Sequence, residues 1–481
     1  MLEANAHNHL KVLLQSETSI WHHNLTLSRL VARSLRRRDK SLLQLPIGSK
    51  NYWWPGILIP LCLDSSDAVL VLSLKQRRRL LDFELPRLKD AGLHFPLWEG
   101  LEPPPNGKVW LLDYAGFLYV FENGLLNFKQ IIIPEAEFLC ERLRETIAIK
   151  IHHLDWEQLR RALPVFDSAF LEIYQRITKR IFIQAASEDA QVSIDNGDLL
   201  ALKDLLTIAG SLPSPWPEIV HAIKSGWASW GQLNHKTLDW TWHLQPLEPL
   251  KHIQSLLNKS SFLMLAGSLQ NDLLLSELKT IPCELNVSIS LGRTIHQEPI
   301  QLFVPYRQPL PNTEYFAEYL LDQCRRLILG VPGITIILLD DFQLRAKLTS
   351  QLAAEFGRRV VQETTTPESN GVVSCSCSWW LKHHEQIPVP HQLIFAILPF
   401  TSLESPLLQA RVNELKKEGR DWFRDLLLPD VLNMIPFAVE PIRKNQGRVA
   451  ILDGRLRSRS WGGLVFRTLE PWTPLERLMP S

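Results

Sequence analysis

No stretch of this chain is apolar for long enough to cross a bilayer. The longest apolar runs, such as Gly56 to Leu63, stop far short of the roughly 20 residues that a spanning helix needs. The first residues, MLEANAHNHLKV, lack a basic segment ahead of an apolar core, so no targeting signal is read there and a cytoplasmic setting without a membrane partner is expected. An excess of one charge is also missing: the net charge is +1, so no global field draws the chain to nucleic acid and any such binding must come from local patches. The six cysteines (Cys62, Cys140, Cys283, Cys324, Cys375, Cys377) are scattered and lie mostly in apolar segments, which points to buried thiols rather than a disulfide framework. Short-period repeats and low-complexity tracts are absent.

What is there is an ordinary globular composition, 45% hydrophobic and 21% charged, over 481 residues. That length implies two to four domains of roughly 100–200 residues each. Residues 8 to 40 read as two helices, the second with Arg29, Arg33, Arg36, Arg37, Arg38 and Lys40 on its polar face. Short apolar runs at Leu42 to Leu45, Ala68 to Ser73, Val109 to Leu112 and Gln130 to Ile133 alternate with helical segments, the pattern of an α/β layering around a parallel sheet. From Leu154 to about Trp230 the period becomes helical, which predicts a helical insertion. Leu238 to Leu244 alternates as a strand does, and with Phe262 to Leu265 it is expected to resume the first sheet. A second α/β unit follows, with strands at Gln301 to Val304, Ile334 to Leu339, Val372 to Cys377, Leu393 to Ile397 and Val449 to Leu452. Its helices are expected near Glu314 to Leu329, Phe342 to Phe356 and Ser405 to Glu418.

The stretch SLLQLPIGSKNYWWPGILIPLCL, Ser41 to Leu63, has the layout of a phosphate-binding loop: a strand, a small-residue turn (Gly48, Ser49, Lys50) and a long apolar segment. A working loop of the G-x-x-x-x-G-K-[ST] kind needs flexible glycines and a hydroxyl after the lysine. Here one glycine stands, and Asn51 and Tyr52 follow Lys50.

In the order of its landmarks the chain resembles the superfamily-two DNA helicases of the DinG and XPD type, in a shortened form. The likeness is carried by AVLVLSLKQRRRLLDFELPRL, by KQIIIPEAEFLCERL where the family has Asp-Glu-Ala-His, and by FLMLAGSL where it has Ser-Ala-Thr-Leu. It is most specific in LIFAILPFTSLESPLLQAR and DLLLPDVLNMIPFAVEPIRKNQGRVAILDGRLRSRSWG. The resemblance implies two RecA-like domains: residues 1–150 with a return at 236–275, interrupted by the helical insertion at 151–235, and then 276–481. It also implies single-stranded or branched DNA as partner, a place in DNA repair or replication, and DNA-backbone contacts from Arg77, Arg78 and Arg79.

Hydrolysis of ATP in this family requires phosphate cradling, Mg²⁺ ligands, a water-orienting carboxylate and an arginine at the transferring phosphate. By the resemblance, Gly48, Ser49 and Lys50 are a remnant phosphate loop, and Glu135 keeps the water-orienting position while Pro134 replaces the metal-binding aspartate. Trp380 is followed by Lys382 and His384 where glycine and aspartate stand in the family. Arg443 survives as the catalytic arginine, whereas Glu440 replaces a second one. The expected activity is therefore weak or absent, with ATP and Mg²⁺ bound only if the eroded site still holds them. An active ATP-dependent helicase is the alternative. The family's repair members hold an iron–sulfur cluster between the first two motifs; between Lys50 and Glu135 only Cys62 is present, so no cluster is expected.

Other residues have two readings. Glu135 and Glu137 are either paired acid/base carboxylates or ordinary acids opening a helix. Cys375, Cys377, His383, His384 and His391 hint at zinc, but a buried strand is the favoured reading and no metal site is expected. Arg455 and Arg457, with Arg443, Lys444, Arg448 and Arg459, line a DNA track or a solvated loop. Trp53, Trp54, Trp379, Trp380 and Trp461, among sixteen tryptophans, stack on bases or pack in cores.

Overall fold

The computed structural model describes residues 2–15, 21, 23–49, 52–64, 67–184, 191–223, 226–267, 273–292, 294–330 and 332–475. Strands β1 (Ser41–Leu45), β2 (Ala68–Val71), β3 (Leu97–Glu99), β4 (Val109–Leu112) and β5 (Gln130–Ile133) open the first body. Strands β6 (Ile149–Ile151), β7 (Gln191–Ser193), β8 (Trp227–Asn234) and β9 (Asp239–Pro246) belong to the insertion. The chain returns with β10 (Ser261–Gly267) and β11 (Val287–Ser290). The second body holds β12 (Ile300–Phe303), β13 (Thr335–Leu338), β14 (Val360–Gln362), β15 (Val372–Cys375), β16 (Gln392–Phe395), β17 (Arg448–Ile451) and β18 (Trp472–Pro474).

The first sheet has the order β11-β1-β10-β5-β2-β4-β3 and the second β14-β15-β13-β16-β17-β12-β18, and every pairing in both is parallel. Helices cover both faces, which is why the central strands are apolar throughout rather than alternating. Successive residues point to opposite cores: Leu43, Leu70, Ile132 and Leu263 enter one, while Leu42, Val69, Ile131 and Met264 enter the other. Each sheet also begins a central strand with a buried glutamine whose amide is satisfied. Gln130 Nε2 donates to the Ser34 carbonyl at 3.0 Å, and Gln392 Nε2 donates to the Leu327 carbonyl at 3.2 Å. The expected α/β architecture of two RecA-like parallel-sheet domains is the observed one, and the helix expected at Phe342 to Phe356 has those bounds.

The insertion differs from the expectation. Helices His153–Ala162, Asp167–Gln184, Asn196–Ala209 and Trp216–Ala222 are present, but they lie on a four-stranded antiparallel sheet, β6-β9-β8-β7. Asp239–Pro246 therefore does not resume the first sheet; it pairs with β8 from Trp227↔Pro246 to Asn234↔Asp239. The alternation in LDWTWHL already separates it from the continuous apolar strands of the first sheet, because one of its faces is covered by helices of the insertion. The first sheet resumes at β10 and ends at β11, so the first body runs past residue 275.

Tryptophans build the insertion's core. The rings of Trp156 and Trp216 lie 4.9 Å apart, those of Trp156 and Trp242 6.0 Å, and those of Tyr174 and Trp240 5.6 Å. On the sheet's other face Ala228, Trp230 and Leu247 pack against Leu407 and Ala410 of helix Pro406–Lys417 in the second body. Trp242 is fully buried and its Nε1 donates to Ser229 Oγ at 2.8 Å. Trp242→Ala is expected to cost the insertion about 3–5 kcal/mol. In hydrogen exchange, amides of residues 149–246 should lose protection while β1, β5 and β16 keep theirs.

Candidate functional site

The carboxyl ends of β1, β5 and β10 meet helix Leu428–Arg443 of the second body at a cleft, the place where open parallel sheets ordinarily take ligands. After β1 the chain turns through Pro46, Ile47, Gly48 and Ser49, with Gly48 at φ +88, a conformation that suits glycine. The segment leaving β11 runs beside this turn: Ile47 and Thr294 form a parallel bridge, and the Ile295 N–H donates to the Ile47 carbonyl at 3.0 Å. A Cβ on Gly48 would lie 2.6 Å from His296 Nε2 and 2.8 Å from Ile295 Cγ1. The turn is thus covered by the chain itself.

His296 Nε2 lies 3.0 Å from Glu440 Oε2, an ion-pair contact across the two bodies without hydrogen-bond alignment. Burial pushes the Glu440 carboxyl up, but His296, Lys444 and Arg443 outweigh it and hold the carboxyl below its usual range. Beyond this pair, Phe138 and Phe437 bring their rings to 5.6 Å, again across the two bodies.

Glu135 follows β5 in a left-handed conformation, φ +54, and its carboxylate lies 2.5 Å from Arg142 Nη2. Arg142 is sandwiched by Tyr114 and Phe138, 5.5 Å and 5.3 Å from the ring centres. Glu137 Oε2 accepts the Gly267 N–H at 3.0 Å. Burial, reinforced by the charge of Glu135, raises the Glu137 carboxyl to about 7. The remaining cavity is about 60 Å³, room for a few waters, against the roughly 300–1,000 Å³ typical of ligand pockets. Glu135, Glu137 and Glu440 line it, and among the described residues no lysine or arginine does.

Of the residues singled out in the sequence, Gly48, Ser49 and Glu135 come together at this cleft, while Lys50 lies outside the described residues. Arg443 is turned away: its guanidinium donates to the Pro471 carbonyl at 3.1 Å and to that of Leu469, fixing the loop before β18. Arg77 pairs with Glu99 at 2.8 Å and Arg79 with buried Glu84 at 3.0 Å; Arg78 is exposed and without an ion pair among the described residues. Arg455 is held by buried Asp453 at 2.6 Å, and Arg457 donates to the Val304 and Pro305 carbonyls. The Cys375 and Cys377 thiols are buried and pushed well above their ordinary range, and no group of three metal-holding side chains occurs among the described residues. Trp53 and Trp54 stack on each other at 4.3 Å inside the first body, and Trp380 donates to the Ala438 carbonyl at 2.9 Å. His296 and Phe437, which close the cleft, carry no motif that the sequence alone would flag.

This arrangement does not fit ATP and Mg²⁺. The turn that would cradle phosphate is covered by Ile295 and His296, the cavity is too small for a nucleotide, and no lysine or arginine among the described residues lines it to meet a phosphate.

Two parallel-sheet bodies facing each other across a cleft make a two-domain α/β fold. No family model matches the chain. In structure it is similar to S. tokodaii Xpd4, with TM-score 0.59, 13% identity and coverage of 92% of this chain and 98% of that one. It is also similar to an XPD helicase, with TM-score 0.58, 11% identity and coverage of 95% and 100%. In sequence it is similar to the ATP-dependent DNA helicase YoaA of Haemophilus influenzae, 26% identical over 135 residues, which are 27% of this chain and 21% of that protein. The YoaA of Escherichia coli K12 is 26% identical over 137 residues, 28% and 22% of the two chains. The matched segment spans about a fifth of the length of these curated relatives.

The unfolded chain releases the Glu137 proton near pH 4.5 and the folded chain near 7. The stability this group contributes is therefore complete below about pH 4.5 and is lost as the pH rises through 7. Glu137→Gln keeps an acceptor for the Gly267 N–H and removes that loss. The variant is expected to melt a few degrees above the wild type at pH 8 and together with it at pH 4, read by circular dichroism. An equal shift at both pH values would show that the Glu137 charge is not the cause.

Proposed function

We propose that this chain is a DNA-binding, DinG/XPD-like helicase-fold protein whose ATP hydrolysis is weak or absent, acting in the cytoplasm in DNA repair or replication. The observation that carries the reading is the cleft of about 60 Å³, closed by His296 against Gly48 and lined by three glutamates without a free cation among the described residues. Phosphoryl transfer needs charge of the opposite sign: a missing arginine at the transferring phosphate alone costs about 10³–10⁵ in rate. Here Glu440 stands on the helix facing that position, and Arg443 holds a loop instead.

DNA as the partner, single-stranded or branched, is supported by the similarity to proteins named as DNA helicases and by exposed arginines such as Arg78. No cofactor is required by this reading. Neither an iron–sulfur cluster nor a membrane enters it: Cys62 is the one cysteine between Gly48 and Glu135, and no helix among the described residues is long and apolar enough to cross a bilayer.

Two assays on the purified chain test it together. Binding of a single-stranded oligonucleotide and of a fork should be measurable and should weaken steeply with salt. ATP turnover with single-stranded DNA present should not exceed that of the Lys50→Ala and Glu135→Gln variants. Robust DNA-stimulated turnover that both substitutions abolish would instead establish an active ATP-dependent helicase.

A further inference from the structure

A second concavity, of about 500 Å³, lies at the carboxyl ends of the neighbouring strands β12 and β17, between the loops that follow them. Its charge is opposite to that of the cleft. Tyr306, Arg307, Gln308, Arg457 and Ser458 line it, and no carboxylate does. The nearest acid in sequence, Asp453, is buried and neutralised by Arg455. Arg307 is exposed and has no ion pair among the described residues, and Arg457 donates only to neutral carbonyls, so its charge is uncompensated too.

Tyr306 is 82% exposed, an unusual position for a large aromatic ring. It is nevertheless held: the Arg457 guanidinium lies 4.3 Å from the ring centre, and that guanidinium is itself fixed by the Val304 carbonyl at 2.7 Å and the Pro305 carbonyl at 3.1 Å. One face of the ring is covered by a cation and the other is free. Gln308 donates its amide to the Pro305 and Ile451 carbonyls, leaving its Oε1 shielded from solvent without a hydrogen-bond partner. The floor is tight, since a Cβ on Gly454 would lie 2.5 Å from the Pro309 carbonyl oxygen.

An exposed aromatic face flanked by uncompensated guanidiniums matches a base on a phosphate backbone. We propose that this groove binds single-stranded nucleic acid, one base stacking on the free face of Tyr306 and the adjoining phosphates lying on Arg307 and Arg457. The proposal rests on the DNA-binding reading above and assigns it a place.

The test is fluorescence anisotropy with a labelled thymidine oligonucleotide of about 20 residues, a length that covers one such site with margin. Because the ring is exposed, Tyr306→Ala and Tyr306→Phe should both fold as the wild type does. Tyr306→Ala is expected to weaken binding about tenfold and Tyr306→Phe to stay within about twofold. An abasic strand of the same length should bind wild type and Tyr306→Ala alike. Arg307→Ala should lower the slope of log affinity against log salt by about one. If the wild type binds the oligonucleotide and Tyr306→Ala binds it equally well, the groove is not the site, although the DNA-binding reading stands. Failure of the wild type to bind at all would overturn both.

Discussion

The second body reaches the first by a segment that runs beside the turn after β1, and this crossing governs what the cleft can do. Thr294 pairs with Ile47, Ile295 and His296 cover Gly48, and His296 meets Glu440 on the facing helix. In a two-domain helicase fold the same turn would face an anion and the same helix would supply a cation. Here Ile295 and His296 cover the turn, and Glu440 stands on the facing helix. The small cavity, the absence of a lining cation among the described residues and the hydrogen bond from Arg443 to the Pro471 carbonyl are mutually consistent with this covering.

The closed arrangement is held at other points too. Arg411 Nη2 pairs with Glu277 Oε1 at 2.8 Å and Arg420 Nη2 donates to Ser276 Oγ at 3.2 Å, both between the bodies. Lys75 and Glu385 add an exposed pair at 2.9 Å, which contributes little by itself. The insertion closes a further side by seating Trp230 and Leu247 on Leu407 and Ala410. The chain's charge is correspondingly divided: carboxylates at the closed cleft, arginines at the open groove beside Tyr306.

Much of this architecture was legible in the sequence because parallel strands buried on both faces read as unbroken apolar runs, as in Ala68–Val71 and Gln130–Ile133. The convergence of Gly48 and Glu135 was legible as well, since both stand at the carboxyl ends of such strands. The insertion's sheet was not. Trp227–Asn234 contains Gly231, Gln232 and Asn234, a weak strand by composition, and it is stabilised by packing on Ile181 and Trp240 that local sequence does not display. His296 and Phe437 were illegible for a related reason: their role depends on a contact between residues more than a hundred positions apart, His296 with Glu440 and Phe437 with Phe138.

On the proposed reading, the cleft between the two bodies is closed by the chain's own residues and holds no nucleotide. Calorimetric titration of the full chain with Mg²⁺ and a non-hydrolysable ATP analogue addresses it most directly. The account predicts no saturable binding up to millimolar analogue. Saturable binding of one analogue per chain in the micromolar range, weakened by Lys50→Ala, would contradict it.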